Sequence, residues 1–265
     1  MPHPLFQVDA FTDAPLAGNP AAVVILESPA PQPWMQAVAA EMNLSETAFA
    51  RSRSEETYEL RWFTPTVEVD LCGHATLATA HVLFETGAAS SSAGVVFETR
   101  SGALPVRAER EGNLVMDFPA DPVRRWSPTA EVVAALGCEP VAGFRGGGIP
   151  IVELADEAAV RAVVPDFARL AATEPGSAIV TAPSATPLYD FVSRCYGPRF
   201  GIAEDPVTGS SHCALGPLWA ERLGRSELRA QQVSARGGSM IVRPQGDRVE
   251  LAGRAVTVLH GELTA

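Results

Sequence analysis

The chain has 265 residues and a formal net charge of −11, with 46% hydrophobic and 19% charged residues. This length and composition are typical of a globular protein that buries a substantial core. Because a nucleic-acid-binding surface needs concentrated positive charge, the acidic balance argues against nucleic acid as a partner.

Two residue types exclude further classes of site. All 20 basic residues are arginine, so neither a Schiff-base lysine nor a P-loop lysine is present. The four cysteines, at positions 72, 138, 195 and 213, form no CxxC pair and no zinc spacing. Pyridoxal-phosphate chemistry, lysine-aldolase chemistry and a P-loop are therefore excluded, and the cysteine spacing indicates no metal site.

The N-terminal residues lack the basic and apolar regions of a signal peptide, and no stretch approaches 18 apolar residues. The sequence thus predicts a cytoplasmic protein with reduced thiols and no membrane segment.

In chain order, the first half predicts strands around one buried helix. Asn43 closes a short first helix, and Gly87 stops a second helix that has an apolar stripe. Alternating or β-branched runs predict the strands, and Gly-containing turns separate the last three. The predicted strands are FQVDAF, AAVVIL, YELRWFTP, VVFETRSG, LPVRAER and NLVMDFP, and the helices are PQPWMQAVAAEMN and HATLATAHVLFETG.

The second half repeats this order. Its predicted strands are AIVTAP, DFVSRCYGP, QQVSARGG, SMIVRPQ and RVELAG, and a helix follows Gly209. One additional helix, EAAVRAVVPDFARL, is predicted to be capped by Asp156. Because hairpins outnumber strand–helix–strand crossovers, the pattern indicates an α+β fold.

An internal sequence repeat supports a duplicated chain. Residues 61–85 align with residues 194–221, and Gly73 pairs with Gly209. From that pair an ungapped offset of 136 gives eight identities in 35 positions, where unrelated sequences give roughly two. We predict two similar domains, 1–118 and 119–265, with C-terminal residues able to pack back on the first domain.

The repeat duplicates a candidate anion site. In GHAT and GSSH, a glycine and a short polar residue open a helix. The first N–H groups of a helix have no partner within it and can hold a carboxylate or an oxyanion. An alternative is that both are ordinary helix N-termini. The nearby groups suited to acid–base work are Glu46, Asp70, His74, Glu204, Asp205, Ser210 and His212.

Several segments together resemble a known family. NLSETAFA, LCGHATLATAHVL, EDPVTGSSHCALG and AGNPAAVV are similar to signature segments of the PhzF-like phenazine-biosynthesis isomerases. That family has the diaminopimelate epimerase-like fold, and the resemblance spans essentially the whole chain. It implies two similar domains, each a curved, mostly antiparallel sheet around a central helix. It also implies an active site between the domains, and a homodimer.

The resemblance also implies roles for particular residues. Glu46 would be the general acid/base, with His74 and Asp205 as the other catalytic residues. The substrate-binding residues would be Gly73, Gly209 and Ser210. The reaction would be a cofactor-free proton shift within a small carboxylated metabolite. The family's best-known substrate is a trans-2,3-dihydro-3-hydroxyanthranilate.

Two alternative functions remain at this point. Amino-acid racemases of the same fold use two cysteines, one before each helix glycine; here Cys72 precedes Gly73, but Thr208 precedes Gly209. Threonine is too weak an acid or base for this role, which argues against a symmetric racemase. A non-catalytic protein that binds small molecules is the other alternative.

Glu46 itself is open to a local explanation as a helix-capping residue. A capping box would need Glu or Gln three residues after Ser45, where Ala48 stands. We therefore expect Glu46 beyond the helix, among apolar neighbours such as Leu44 and Phe49. Partial desolvation there would move the pKa of its carboxyl up toward neutrality.

Overall fold

The structure is a computed structural model, and it describes residues 2–264. The chain forms two compact units. One contains the residues up to Phe118 together with those from Leu251 onward, and the other is Pro119–Glu250. The domain limits drawn from the sequence placed residues 119–265 together. The segment from Leu251 onward groups with the first unit, as the prediction that C-terminal residues could pack back on the first domain allowed, because its last strand pairs with the first strand of the chain.

Among the described residues, the first unit contains nine strands and two longer helices. Its strands are β1 (His3–Ala10), β2 (Asn19–Leu26), β3 (Glu46–Ser52), β4 (Thr57–Phe63), β5 (Glu68–Val69), β6 (Val95–Thr99), β7 (Gly102–Ala108), β8 (Leu114–Pro119) and β18 (Ala255–Leu263). Its helices are α1 (Gln32–Met42) and α2 (Gly73–Glu85), and a 3-10 turn covers Arg110–Gly112.

The second unit contains the remaining elements. Its strands are β9 (Arg124–Arg125), β10 (Ala142–Arg145), β11 (Ile151–Glu153), β12 (Ala178–Pro183), β13 (Phe191–Gly197), β14 (Ile202–Asp205), β15 (Leu228–Gln232) and β16 (Gly238–Gln245), and β17 (Arg248–Gly253) runs on into the residues of the first unit. Its helices are α3 (Ala130–Leu136), α4 (Glu157–Ala162), α5 (Phe167–Ala172) and α6 (Gly209–Leu223), with a 3-10 turn at Pro198–Phe200.

The two units share one strand order. In the first, β2 and β3 are parallel, β3 and β4 antiparallel, β4 and β6 parallel, and β6 and β7 antiparallel. In the second, β11 to β13, β15 and β16 repeat these four relationships in the same sequence. Helix α2 follows β5, and α6 follows β14, at matching positions. The predicted α+β fold with an internal repeat is confirmed.

Helix α2 is the central helix of the first unit and packs on β1, β2, β3 and β18. Nine of its residues are buried, which its mostly small and apolar sequence allows: His74, Ala75, Thr76, Leu77, Ala78, Thr79, Ala80, Val82 and Leu83. In the described residues 2–264, no helix is long and apolar enough to span a membrane.

Two sequence-based elements differ from the structure. The segment predicted as one helix after Asp156 is two, α4 and α5, because Pro165 cannot continue a helix and disfavours helical backbone at Val164. Asp156 does cap α4, accepting a hydrogen bond from Ala159 N–H. The predicted strand QQVSARGG ends at Gln232, and the chain turns before β16 begins at Gly238.

The central position of α2 leads to a stability prediction. Leu77 is fully buried (0% exposed), whereas Leu259 is 47% exposed. We expect Leu77→Ala to lower the free energy of unfolding by about 2–5 kcal/mol, because it removes buried methyl groups and leaves a cavity. Urea denaturation measures the change, with Leu259→Ala as the control. Equal losses for both variants would contradict the central packing of α2.

Candidate functional site

Glu46 is positioned by the end of α1 and the start of β3. Asn43 closes α1 in the left-handed conformation, with φ 50° and ψ 36°, which asparagine tolerates better than most residues. The chain then enters β3, where Glu46 pairs with Ala21 of the parallel strand β2. Glu46 therefore lies at the first position of a core strand, and its side chain is 12% exposed.

His74, the second residue of α2, forms a buried pair with Glu46. Its Nε2 lies 3.1 Å from Oε2 of Glu46, and its side chain is 8% exposed. The atoms are close enough for an ion pair, although Oε2 accepts no hydrogen bond of good geometry from the described residues. A residue of the third strand and one of the central helix are thus joined inside one unit.

Two further side chains contact the imidazole of His74. Sγ of Cys72 lies 3.6 Å from Nδ1 and 3.9 Å from Nε2. The side-chain amide nitrogen of Asn19 lies 3.2 Å from Nδ1. Asn19 belongs to the AGNP segment, which is one of the segments that resemble the family and to which no role was assigned. Its contact with a histidine far along the chain could not be read from local pattern.

The environment gives Glu46 and His74 opposite pKa shifts. Burial raises the pKa of the Glu46 carboxyl, but the positive charge of His74 and the close polar contacts with His74 and Cys72 outweigh this and bring it below the usual 4.5. Burial lowers the pKa of His74, but attraction to Cys72 and Glu46 raises it well above 6.5. Both shifts favour the charged forms of the pair, a carboxylate beside an imidazolium.

The upward pKa shift expected for Glu46 is therefore wrong. Its apolar neighbours do desolvate it, but a buried cation beside it has the larger effect. The consequence for proton transfer is favourable. The carboxylate is available as a base at neutral pH, and once protonated beside an imidazolium it releases the proton readily.

The pKa of the Cys72 thiol, in contrast to that of Glu46, is raised, which favours the protonated form. Burial, together with the negative charge of Glu46, raises its pKa to about 11, against the opposing effect of His74. A thiol with that pKa is almost entirely protonated at neutral pH, so it is a poor proton acceptor. The raised pKa of Cys72 therefore argues against a racemase that uses this thiol as a base.

The pair makes stability depend on pH. The lowered pKa of the Glu46 carboxyl means that this group stabilises the fold at pH values above its pKa in the unfolded chain, near 4.5. That stabilisation is lost as the pH falls through the pKa in the folded protein. The raised pKa of the His74 imidazole means that this group stabilises the fold fully at pH values below 6.5, its pKa in the unfolded chain. That stabilisation is lost as the pH rises through the pKa in the folded protein. We expect the stability difference between wild type and His74→Asn to be largest from pH 4.5 to 6.5. Urea unfolding across pH measures it, and a pH-independent difference would contradict the ion pair.

The second unit holds Asp205 at the end of β14, where a side-chain network anchors it. Oγ1 of Thr208 donates to Oδ2 of Asp205 at 2.5 Å. The Gln232 amide accepts from Thr208 N–H at 2.9 Å and donates to the Asp205 carbonyl at 2.7 Å. Gln232 is buried and ends β15. Nothing in the local sequence pattern singled it out.

Gly209 and Ser210 open α6 beside this network. Gly209 is buried and Ser210 is exposed, so the Ser210 hydroxyl is accessible to a ligand.

His212 is fully buried, and its Nδ1 lies 2.8 Å from the carbonyl oxygen of Thr208. Burial lowers the pKa of His212 to about 4, and the contact with the Thr208 carbonyl raises it only in part. His212 is therefore a neutral core residue and no proton carrier at pH 7.

Two of the other sequence candidates serve in ion pairs with arginine. Glu204 accepts two hydrogen bonds from Arg194, at 2.7 and 2.9 Å. Asp70 is exposed, with its carboxylate 3.6 Å from Arg100. The candidates thus form two groups in the structure: Glu46, Gly73 and His74 in the first unit, and Asp205, Gly209 and Ser210 in the second.

Comparison with known sequences identifies the family. The sequence model of the PhzC-PhzF family, described as a phenazine biosynthesis-like protein, matches residues 8–261. An uncharacterized isomerase of Pseudomonas aeruginosa is 49% identical over 97% of each chain. An uncharacterized isomerase of Halalkalibacterium halodurans is 45% identical over 99% of each chain. These names confirm the prediction of an isomerase.

Solved structures agree with the sequence comparison. A PhzF-family protein of Enterococcus faecalis superposes with a TM-score of 0.94, at 42% identity and with 100% of both chains covered. A hydroxyproline epimerase of Agrobacterium vitis has a TM-score of 0.64 at 12% identity, covering 99% of this chain and 92% of its own. The second likeness shows a common fold only. The chain therefore belongs to the phenazine biosynthesis-like (PhzC-PhzF) family, as the resemblance in its sequence predicted.

Proposed function

We propose that this chain is a cofactor-independent isomerase that moves a proton within a small carboxylated metabolite, with Glu46 as the proton carrier. The observation that carries the proposal is the buried contact between Glu46 and His74. A binding protein has no need of a buried carboxylate held ionised by a neighbouring imidazolium. An acid–base catalyst does, because the base must be unprotonated at working pH and must then give the proton back.

The proposed reaction has two proton-transfer steps. The Glu46 carboxylate removes a proton from a carbon that an adjacent carbonyl or double bond acidifies, and the electron pair of the C–H bond enters the conjugated system. The protonated Glu46 then delivers the same proton to another carbon of that system, so the double bond shifts. The enzyme returns to its starting state, and the product is an isomer of the substrate.

The remaining candidate residues are proposed to bind the substrate and orient it. In the first unit, the backbone N–H of Gly73 opens α2, where the positive end of the helix dipole favours a carboxylate or developing enolate charge. In the second unit, Gly209 N–H and the Ser210 hydroxyl offer donors of the same kind. His74 and Asp205 are proposed to orient polar groups of the substrate. A dihydro-hydroxyanthranilate is one compound of the required type.

Solvent exchange tests the proposal. A panel of cyclic and amino carboxylates is incubated with the protein in deuterated water, and proton NMR follows each carbon-bound hydrogen. The proposal expects at least one compound to isomerise or to exchange a carbon-bound proton. Tight binding of a carboxylate with no exchange and no isomerisation would instead support the non-catalytic binding protein. Interconversion of amino-acid enantiomers, lost in Cys72→Ser, would support the racemase.

The network around Asp205 leads to a prediction within this proposal. Thr208→Val removes the hydroxyl that donates to Asp205, whereas Thr208→Ser keeps it. We expect Thr208→Val to lower kcat/KM by about 10- to 100-fold, because a misplaced orienting group costs this much, and Thr208→Ser to stay near wild type. Steady-state kinetics measure both variants. An equal loss of kcat/KM in both variants would show that the shape of the Thr208 side chain, and not its hydrogen bond to Asp205, is required for activity.

A further inference from the structure

The cluster around His74 combines three different kinds of metal ligand. A carboxylate oxygen of Glu46, Sγ of Cys72 and an imidazole nitrogen of His74 all lie within 4.8 Å of one another. Nε2 is 3.1 Å from Oε2 and 3.9 Å from Sγ. In a tetrahedral zinc site, bond lengths of about 2.0–2.3 Å place such ligand atoms roughly 3.3–3.6 Å apart. Because the three atoms are separated by up to 4.8 Å, these side chains would have to close by about 1 Å around one ion.

We infer that Glu46, Cys72 and His74 form a binding site for a borderline-soft divalent cation of the Zn²⁺ class, and that the ion inhibits proton transfer at this site. Thiolate and imidazole ligands favour Zn²⁺ over Mg²⁺ or Ca²⁺, which prefer all-oxygen sites. Three protein ligands leave a fourth coordination position for water or a substrate carboxylate.

Charge and hydrogen bonding suit this assignment. A bound carboxylate and a bound thiolate together neutralise the two positive charges of the ion, and coordination itself removes the thiol proton. Oε2 of Glu46 is buried without a well-aligned hydrogen bond from the described residues, so a lone pair remains for a metal. The Asn19 amide lies beside Nδ1, the nitrogen opposite the ligating Nε2. Turned to present its oxygen, it accepts the Nδ1 proton, as partners of metal-bound histidines do.

Inhibition follows from which atoms the ion would occupy, and this half of the inference rests on the proposed function. A metal bonded to Oε2 and Nε2 takes the lone pair with which Glu46 would accept a proton. It also occupies Nε2 of His74, the atom that contacts Glu46. The metal-bound protein is then unable to perform the proton shift, and a chelator restores it.

Direct binding tests the site without any substrate. The metal-free full-length protein is titrated with ZnCl₂ against a chromophoric chelator, and with CoCl₂, whose bond to a thiolate gives a charge-transfer band. We expect one ion per chain and a thiolate band. We expect Cys72→Ser to lose the band and to weaken Zn²⁺ binding more than about 100-fold, since even second-shell changes cost 10- to 100-fold. Cys138→Ser, at a half-buried free cysteine elsewhere, is the matched control and should bind as wild type.

The outcomes separate this inference from the proposed function. Absence of stoichiometric binding, or an unchanged cobalt band in Cys72→Ser, overturns the metal site. Glu46→Gln provides a second ligand variant of nearly the same shape, and binding at wild-type strength by this variant also overturns it. Deuterium exchange by the chelator-treated enzyme tests the proton shift independently. Exchange that continues unchanged in a zinc-saturated sample overturns inhibition alone.

Discussion

Glu46→Gln is expected to lower kcat for the isomerisation by about 10³-fold or more, because an amide cannot accept the substrate proton. The substitution keeps the size and shape of the side chain at the first position of β3. The fold should therefore be retained, as circular dichroism and thermal unfolding would show. Steady-state kinetics on the substrate found by solvent exchange measure the loss.

A matched control separates this effect from a general loss of charge. Glu41 lies near the end of α1 and is exposed, so Glu41→Gln removes the same charge a few residues away. Its kcat should stay close to wild type. Wild-type activity in Glu46→Gln would remove Glu46 from the mechanism, and equal losses in both variants would point to a nonspecific effect.

His74→Asn is the second substitution for which we expect a large effect, about 10²-fold in kcat at neutral pH. The imidazolium keeps the pKa of Glu46 below 4.5 against the effect of burial. Without it, burial prevails and the pKa rises, so a larger fraction of the base is protonated at any given pH. The acid limb of the kcat/KM profile should therefore move to higher pH in the variant.

The pH profile separates this role from simple structural damage. His81 lies two turns further along α2 and contacts Thr257, so His81→Asn changes the same residue type on the same helix. We expect its acid limb to coincide with that of wild type. A His74→Asn enzyme that is slower but has an unshifted acid limb would show that His74 does not set the pKa of Glu46.

The sequence allowed prediction of those parts of the fold that local pattern and repetition encode. Helix α2 was predicted from its apolar stripe, and α6 from its matching position in the repeat. Strand β3 was missed, since the run TAFA shows neither alternation nor a turn at each end. The break between α4 and α5 was signalled by Pro165 but outweighed by the apolar periodicity on both sides.

The candidate site shows the same division. Glu46 and His74 were recognised from their motifs, and the structure places them in contact. The sign of the Glu46 pKa shift was wrong because sequence neighbours show burial, whereas the deciding charge comes from another element. The contacts of Asn19 and Gln232 are also long-range. Pairings of this kind arise from chain topology, so residue types and spacing alone do not predict them.

The asymmetry between the repeats is informative about chemistry. Cys72 and Thr208 occupy equivalent positions before their helices, yet each contacts a different acid–base group. Cys72 lies against the imidazole of His74, and Thr208 donates to the carboxylate of Asp205. Neither is a base at neutral pH, since the pKa of Cys72 is about 11 and a threonine hydroxyl does not ionise there. This asymmetry supports our proposal that the carboxylate of Glu46 is the proton carrier.

The most direct test of this account follows the transferred atom itself. A substrate carrying deuterium on the carbon that loses its proton is converted in ordinary water, and mass spectrometry with NMR locates the label at early turnover. If one buried carboxyl both removes and returns the proton, part of the deuterium appears on the accepting carbon of the product. This transfer should be absent in Glu46→Gln and present in Cys72→Ser. Product that never contains the label, or label transfer that persists without Glu46, would contradict the account.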